Sequence, residues 1–425
     1  SMTYQEKIEQ LFSKIPSYQK VGKRAYKPGI ESMTAFDAAL GEPHKKFRSI
    51  HIAGTNGKGS VSSMLASILA CAGYKVGLYT SPHLLDFRER MKIVSKEGWE
   101  LISKEEVSDF LDKWDSFIYS ENPSFFEITT AMAFDFFAKR KVDFAVIECG
   151  LGGRLDSTNV ITPIMSVITN IGLEHCEHLG FTLEEIAGEK AGIIKGGVPV
   201  VIGESVLQTK PVFEAKADSC GSRISFAEDF MLPESFRDIS PVGLGGNYQK
   251  VNIRTVCCAM DCLKSEIHHT EKDVAEGITN AAKITGLRGR WEKVASLPDM
   301  ICDIGHNAHG LKYVFSQLAA EADKYRHIYI VFGVVGDKDI DAVAPFMVKP
   351  GEKFTYLLTQ PSSPRRKAVG ELASALERYG IYGNQYHSVY EAIDKALSIA
   401  AKNDLIFIGG SNFVVADALE KFESK

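Results

Sequence analysis

Residues 51–73, HIAGTNGKGSVSSMLASILACAG, constrain this chain more than any other stretch: an apolar strand enters a loop with three glycines and a lysine, then a helix. Glycines at 54, 57 and 59 let the backbone turn its N–H groups inward without a Cβ clash. The helix that follows adds the positive end of its dipole, so a polyphosphate is the natural guest of Gly54, Thr55, Asn56, Gly57, Lys58, Gly59 and Ser60. Lys58 is placed for the β- and γ-phosphates and Ser60 for Mg²⁺. The strict Walker pattern puts Ser or Thr directly after the lysine, whereas here Gly59 intervenes. A glycine-rich turn with a solvated lysine is the plainer alternative.

Around this loop, short β-branched runs alternate with helical stretches. Residues 49–53, 76–80, 143–148, 163–169 and 198–202 read as buried strands, with helices over 58–72, 104–119, 127–140 and 182–192. Such alternation implies a parallel sheet covered on both faces, with ligands bound beyond the carboxyl ends of its strands. The pattern restarts at 300–304, 327–333, 354–359 and 404–409, and 205–248 reads as an irregular sheet edge plus loop. The expectation is an α/β chain: a P-loop mononucleotide-binding parallel-sheet domain over 1–295, then a smaller Rossmann-like domain over 296–425.

With 425 residues the chain exceeds what one core usually holds, and a net charge of −5 gives no global field for a nucleic-acid backbone. No apolar run is long enough to span a bilayer, and the first residues lack a secretion-signal core, so a cytoplasmic protein without membrane or nucleic-acid partners is expected. The eight cysteines are scattered without a CxxC pair and are assigned no disulfide and no zinc.

The other strand ends also carry unusual residues. TSPHL (80–84) follows the second strand, Glu148 and CGLGGRLDSTN (149–159) the next, and NIGLEHCEHLG (170–180) the fourth. An acid closing a wholly apolar strand suits a Mg²⁺ ligand, because a bare buried charge is costly; a strand-end ion pair is the alternative. His175 and His178 taken alone read as ordinary loop histidines. GLGGR lacks the last glycine of a dinucleotide fingerprint and is discounted.

In this order and at these intervals, GTNGKGS, TSPHL, ECGLGGRLDSTN, TNIGLEH and EKAGIIK resemble the folylpolyglutamate synthase and dihydrofolate synthase family of the Mur-type ATP-dependent amide ligases. YQKVGKRAYKPG (18–29) resembles that family's opening segment. The resemblance implies that ATP phosphorylates a substrate carboxylate and that the amine of L-glutamate attacks the acyl phosphate, with dihydropteroate, tetrahydrofolates or both as acceptors. It further implies a monomer, probed by no partner but small molecules.

Carried over residue by residue, the resemblance implies that Ser60, Ser81, Glu148 and His175 hold Mg²⁺, with two ions expected in all. Lys190 in EKAG falls on the family's carbamylated lysine; an unmodified lysine paired with a nearby Glu is the alternative, and Lys195 a weaker candidate. Ser81, Pro82, His83, Asp156 and Asn159 match substrate positions, although Asp156 equally suits a turn cap. Asn252 matches an adenine contact and Arg290 a phosphate contact. In CDIGHNAHG (302–310), Asp303 is expected at the nucleotide and His306 among the catalytic groups beside Asn307, with Gly305 where the family has Ala. Arg365 and Arg366 read as a solvated basic turn or an acidic-substrate contact. A two-domain clamp hinged near 285–298 would shield the labile acyl phosphate from water. Two rivals remain: a cell-wall peptide ligase of the same superfamily, against which SPHL and RLDSTN weigh, and a nucleotide-switch binding protein, which leaves SPHL, EKAG and HN without a task.

Overall fold

The computed structural model describes residues 2–15, 29–174 and 176–424. They form two compact units, the first running to Val242 and resuming over Lys250–Leu287, the second comprising Gly243–Gln249 and everything from Arg288 onward. The segment 18–28 and His175 lie outside the described residues.

In the first unit the strands are β1 (Arg48–Ala53), β2 (Val76–Tyr79), β3 (Met91–Ser95), β4 (Gly98–Leu101), β5 (Phe144–Glu148), β6 (Met165–Ile168), β7 (Val200–Ile202) and β8 (Ile224–Phe226). They join in the order β4-β3-β2-β5-β1-β6-β7-β8, parallel except where β3 pairs with β2 and β4. Only Arg48 of β1 is exposed, as a strand covered on both faces requires. Register then places the site: Ile52 stands opposite Glu148, and Ala53 opposite Ile168. The loops starting at 54, 149 and 169 therefore leave the sheet side by side.

The helices that matter most are α1 (Lys58–Cys71), α2 (Phe125–Lys139), α3 (Leu183–Ala191), α4 (Gln249–Cys262) and α5 (Glu271–Thr279). Residues 59–70 of α1 are all buried, so its small residues serve close approach and not solubility. Gly277 of α5 lies against it, where an added Cβ would come within 2.5 Å of the Ile68 Cα. Ser124 and Glu127 form a capping box at the start of α2, and Thr182 caps α3. Ala145 and Ile147 of β5 share one apolar cluster with Phe134 and Phe137 of α2.

The second unit contains β9 (Glu292–Ala295), β10 (Asp299–Asp303), β11 (Ile328–Phe332), β12 (Phe354–Leu358), β13 (Gly383–Gln385) and β14 (Leu405–Gly409), in the order β13-β12-β11-β14-β10-β9. Only β9 is antiparallel to its neighbour. Helix α6 (Ala308–Glu321) follows β10 with Asn307 as its cap.

Three details depart from the sequence reading. The antiparallel β3–β4 hairpin was not anticipated, because its strands are short and share one tight turn. The segment 205–248 contains a helix, Lys210–Cys220, as well as the edge strand β8. The chain divides at 287/288 and not at 295/296, because β9 hydrogen-bonds to β10 and so belongs with the second sheet. Among the described residues no helix is long and apolar enough to cross a membrane, and none of the seven described thiols is in a disulfide.

Gly277→Ala should destabilise the first unit by about 1–3 kcal/mol, since the new methyl meets backbone of α1 and not a movable side-chain tip. Urea unfolding would show this as a lower midpoint for that unit's transition.

Candidate active site

The phosphate loop takes its shape from backbone demands. Gly54 has φ +148° and Gly57 φ +80°; a Cβ on the first would fall 1.8 Å from Thr169 Oγ1, and on the second 2.6 Å from Asn252 Oδ1. Neither position admits another residue without displacing its neighbour. Asn170 fastens the loop by accepting from Asn56 N through Oδ1 (2.9 Å) and donating to Asn56 O through Nδ2 (3.0 Å). Its carbonyl also accepts from Thr55 N at 3.0 Å. Ser60 is fully buried in the first turn of α1, and Asn252 is buried on α4 beside Gly57.

Below the loop lies a set of charges, Glu148 and Lys190 buried, Lys58 and Glu174 half-buried. Lys58 Nζ donates to the Cys149 carbonyl at 3.3 Å. Burial alone would lower its pKa, but Glu148, Glu174, Cys149 and Asp156 together outweigh this and raise it, so the ammonium persists. Glu148 is 2% exposed and accepts from Ser81 N at 2.8 Å, with Ser81 Oγ at 3.5 Å. Lys190 is fully buried on α3, ion-paired to Glu174 and donating to Thr55 Oγ1 at 3.2 Å. Burial pulls its pKa down to about 8, and Lys58 pulls the same way while Glu174 opposes them. Hard oxygen donors from Glu148, Ser81 and Ser60 beside a phosphate loop fit a divalent cation such as Mg²⁺.

The loop after β5 is organised by its own residues. Asp156 Oδ1 accepts from Gly150 N (3.0 Å) and Leu151 N (2.8 Å), and Oδ2 accepts from Thr158 N (3.1 Å) and Thr158 Oγ1 (2.5 Å). Its four acceptor positions are thus engaged, and the turn-cap reading of Asp156 describes the geometry better than a substrate contact. Asn159 likewise donates to Arg154 O (3.1 Å) and Gly192 O (3.0 Å), bracing the loop against the end of α3. The glycines of GLGGR serve the same docking: a Cβ on Gly153 would lie 2.9 Å from the carbonyls of Glu189 and Lys190. Lys195 Nζ donates to Asn159 O at 2.9 Å, a bracing contact.

After β2, Ser81 and Pro82 are joined by a cis peptide, and Pro82 is exposed. His83 stacks on Phe12 with centroids 5.7 Å apart and accepts from Arg90 Nε through Nδ1 at 2.8 Å. Burial, then Arg90, lowers its pKa to about 3, so the ring is neutral with its proton on Nε2.

In the second unit, Asp303 is buried and accepts from Gly305 N (2.7 Å), Tyr248 Oη (2.8 Å) and Trp291 N (2.9 Å). Burial raises its pKa against the pull of those donors and of Arg290. It clamps two chain segments together. His306 is exposed with Nδ1 3.4 Å from Ile304 O, Asn307 caps α6 through Gly310 N at 2.8 Å, and Arg290 is half-buried. Arg365 lies over the Phe413 ring, and Arg366 donates to Ser363 O at 3.3 Å.

Residues 52–204 match the Mur ligase middle domain and residues 289–412 the Mur ligase glutamate ligase domain. The dihydrofolate synthase/folylpolyglutamate synthase of Bacillus subtilis (strain 168) is 33% identical, covering 94% of this chain and 96% of its own length. The chain belongs to the dihydrofolate synthase/folylpolyglutamate synthase family. It is an ATP-dependent folate glutamate ligase. E. coli FolC in complex with DHPP and ADP is similar to this ligase at TM-score 0.84 and 26% identity, covering 98% of each chain. The Yersinia pestis bifunctional folylpolyglutamate synthase/dihydrofolate synthase complexed with AMPPNP and Mn gives TM-score 0.83 and 25% identity over 100% of this chain and 98% of the other.

Sequence reasoning missed Glu174, Asn170 and His51. Glu174 lies one residue before the expected ligand His175 and pairs with Lys190; the acid in GLEH was the available signal. Thr158 Oγ1 donates to Asp156, so His51 Nε2, 2.8 Å away, must donate to Thr158. The same network holds Cys149 Sγ 3.3 Å from His51.

Burial, with Lys195 second, lowers the pKa of His51 to about 3 in this ligase, whereas the unfolded chain takes up its proton near 6.5. Stability is therefore lost as pH falls through 6.5 toward 3, by about 2 kcal/mol at pH 5 from this group alone. In urea titrations at pH 7.5 and pH 5, His51→Gln should lose that much less than the parent protein. Equal losses would show that His51 is not buried as a neutral ring.

Proposed function

We propose that this ligase is bifunctional, joining L-glutamate to dihydropteroate and to the γ-carboxylate of reduced folates such as tetrahydrofolate. The observation that carries the chemistry is the set of opposed charges at the foot of the phosphate loop, Lys58 and Lys190 with Glu148 and Glu174. The names of the full-length relatives support the double activity.

In this reading a substrate carboxylate oxygen attacks the terminal phosphorus of ATP, and the bond to ADP breaks. The glutamate amine then attacks the acyl carbon, loses a proton and expels phosphate. Lys58 and the loop amides from Gly54 to Ser60 hold the triphosphate in line and offset its charge, the main route by which phosphoryl transfer is accelerated. Ser60, Ser81, Glu148 and His175 are the residues to hold Mg²⁺, which when bound would neutralise charge on the phosphoryl oxygens. Ser81, Pro82 and His83 border the acceptor site, with His83 presenting a neutral ring. Asp156, Asn159 and Asp303 position their loops, while Arg290 is the residue for phosphate and His306 is among the catalytic groups.

Lys190 is assigned a carbamate. Its ammonium gives up one proton, the free amine adds to CO₂ and a second proton leaves, turning a cation beside Lys58 into an anion able to hold a second Mg²⁺. The ion pair with Glu174 belongs to the unmodified lysine; what supports the carbamate is burial, which pulls the pKa of Lys190 down to about 8 and so favours the free amine that CO₂ requires.

Mass spectrometry after incubation with MgATP, glutamate and either dihydropteroate or tetrahydrofolate should show a single glutamate addition in both reactions. Product from one acceptor alone would reduce the proposal to that activity. Lys190→Ala should lower turnover by roughly 10²-fold or more, unrestored by bicarbonate but partly restored by short carboxylic acids. Turnover like that of the parent would remove the carbamate.

A further inference from the structure

The sheet register puts Arg90 next to the loop that carries Ser81, Pro82 and His83. It immediately precedes Met91, which pairs with Tyr79 across β2 and β3, and its carbonyl accepts from Thr80 N at 3.0 Å. Arg90 is 5% exposed, with Cζ 5.0 Å from the centre of the Phe125 ring. Nε donates to His83 Nδ1 at 2.8 Å, while the buried Nη1 has no hydrogen-bond partner among the described residues. The acids whose charge reaches the guanidinium, Glu148 and Glu89, are held by main-chain amides. Glu148 accepts from Ser81 N at 2.8 Å, and Glu89 from Leu84 N and Leu85 N at 2.9 Å and from Asp86 N at 2.6 Å.

A guanidinium is costly to bury, and packing gives no reason for one here, since an apolar side chain of similar volume would fill the space without the desolvation. Contact with the face of Phe125 offsets only part of that cost. What the charge accomplishes is directional. Because Nε–H can only donate, His83 Nδ1 must accept, so the ring carries its proton on Nε2. Phe12, stacked on the imidazole at 5.7 Å with 17° between the planes, holds the plane of the ring. Together the two contacts fix which nitrogen is the donor and how it is oriented.

We propose that Arg90 is a positioning residue for the acceptor substrate: through His83 Nδ1 it holds the imidazole so that Nε2–H donates to a lone pair on a ring nitrogen or carbonyl oxygen of the pterin. The inference rests on the reading that His83 borders the acceptor site. Since Arg90 acts through His83, its effect falls on acceptor binding and leaves nucleotide binding, glutamate binding and phosphoryl transfer alone.

The test is steady-state kinetics of the full chain with MgATP, glutamate and tetrahydrofolate or dihydropteroate, whichever turns over. Arg90→Met should raise the acceptor KM about tenfold, the loss of one oriented hydrogen bond. Its kcat and its KM for ATP and glutamate should stay within about twofold of the parent's, and its urea midpoint should be no lower. His83→Phe should raise the acceptor KM similarly, and the double variant no further, because the two residues act as one unit. Multiplied effects in the double variant, or KM values for all three substrates rising together with a lower urea midpoint, would overturn the proposal. Should Arg90→Met fail to fold, Arg90→Gln, too short to reach Nδ1, decides by the same split between acceptor and ATP. A raised acceptor KM in His83→Phe beside a parental one in the Arg90 variant rejects the role of Arg90 alone, whereas a parental one in His83→Phe rejects the acceptor-site reading and this inference with it.

Discussion

Two lysines among carboxylates, Lys190 buried and ion-paired and Lys58 half-buried in the field of Glu148 and Glu174, set the conditions for everything around the phosphate loop. Neither cation would persist in a dry interior alone, because desolvation costs several kcal/mol per ion unless geometry and further hydrogen bonds return it. Lys58 keeps its proton through the field of Glu148 and Glu174, and Lys190 holds a weaker grip on its own. The sheet makes this arrangement possible. Because β1, β5 and β6 end in register, Lys58 of one loop reaches the carbonyl of Cys149 beside the acid of the next, and Asn170 of the third fastens Asn56 of the first. A sheet slipped by one residue would turn these side chains to the opposite face.

The features legible in the sequence were those with a local cause. Gly54 and Gly57 announce a backbone that no other residue adopts, and Glu148 announces itself as the first charge after an unbroken apolar strand. The alternation of buried runs likewise revealed both parallel sheets. Contacts made across more than a hundred residues were not legible: Asn56 meets Asn170, and Thr55 meets Lys190, by folding alone. Asp156, Asn159 and Asp303 show a different ambiguity. A polar side chain at a strand end looks the same in a sequence whether it faces a ligand or fastens its own loop, and here hydrogen bonds show the fastening.

The loop after β5 shows how glycine can serve packing. Gly153 lies flush against the last turn of α3, and Arg154 N donates to Glu189 O at 2.7 Å. The strand bearing Glu148 and the helix bearing Lys190 are thereby joined through a contact that involves neither residue's side chain. A motif discounted as a nucleotide fingerprint thus has a structural purpose.

The second unit is not contiguous in sequence, since Gly243–Gln249 belongs to it although the chain then returns to the first. Tyr248 supplies one of the donors on the buried Asp303, and Asn247 N donates to Gln317 Oε1 at 2.7 Å. Cutting the chain at Arg288 would leave that carboxylate short of a donor and the start of β9 without the strip that braces it. Inheritance of this half alone by recombination consequently demands three crossovers in the coding sequence, at 242/243, 249/250 and 287/288, where a contiguous half would demand one.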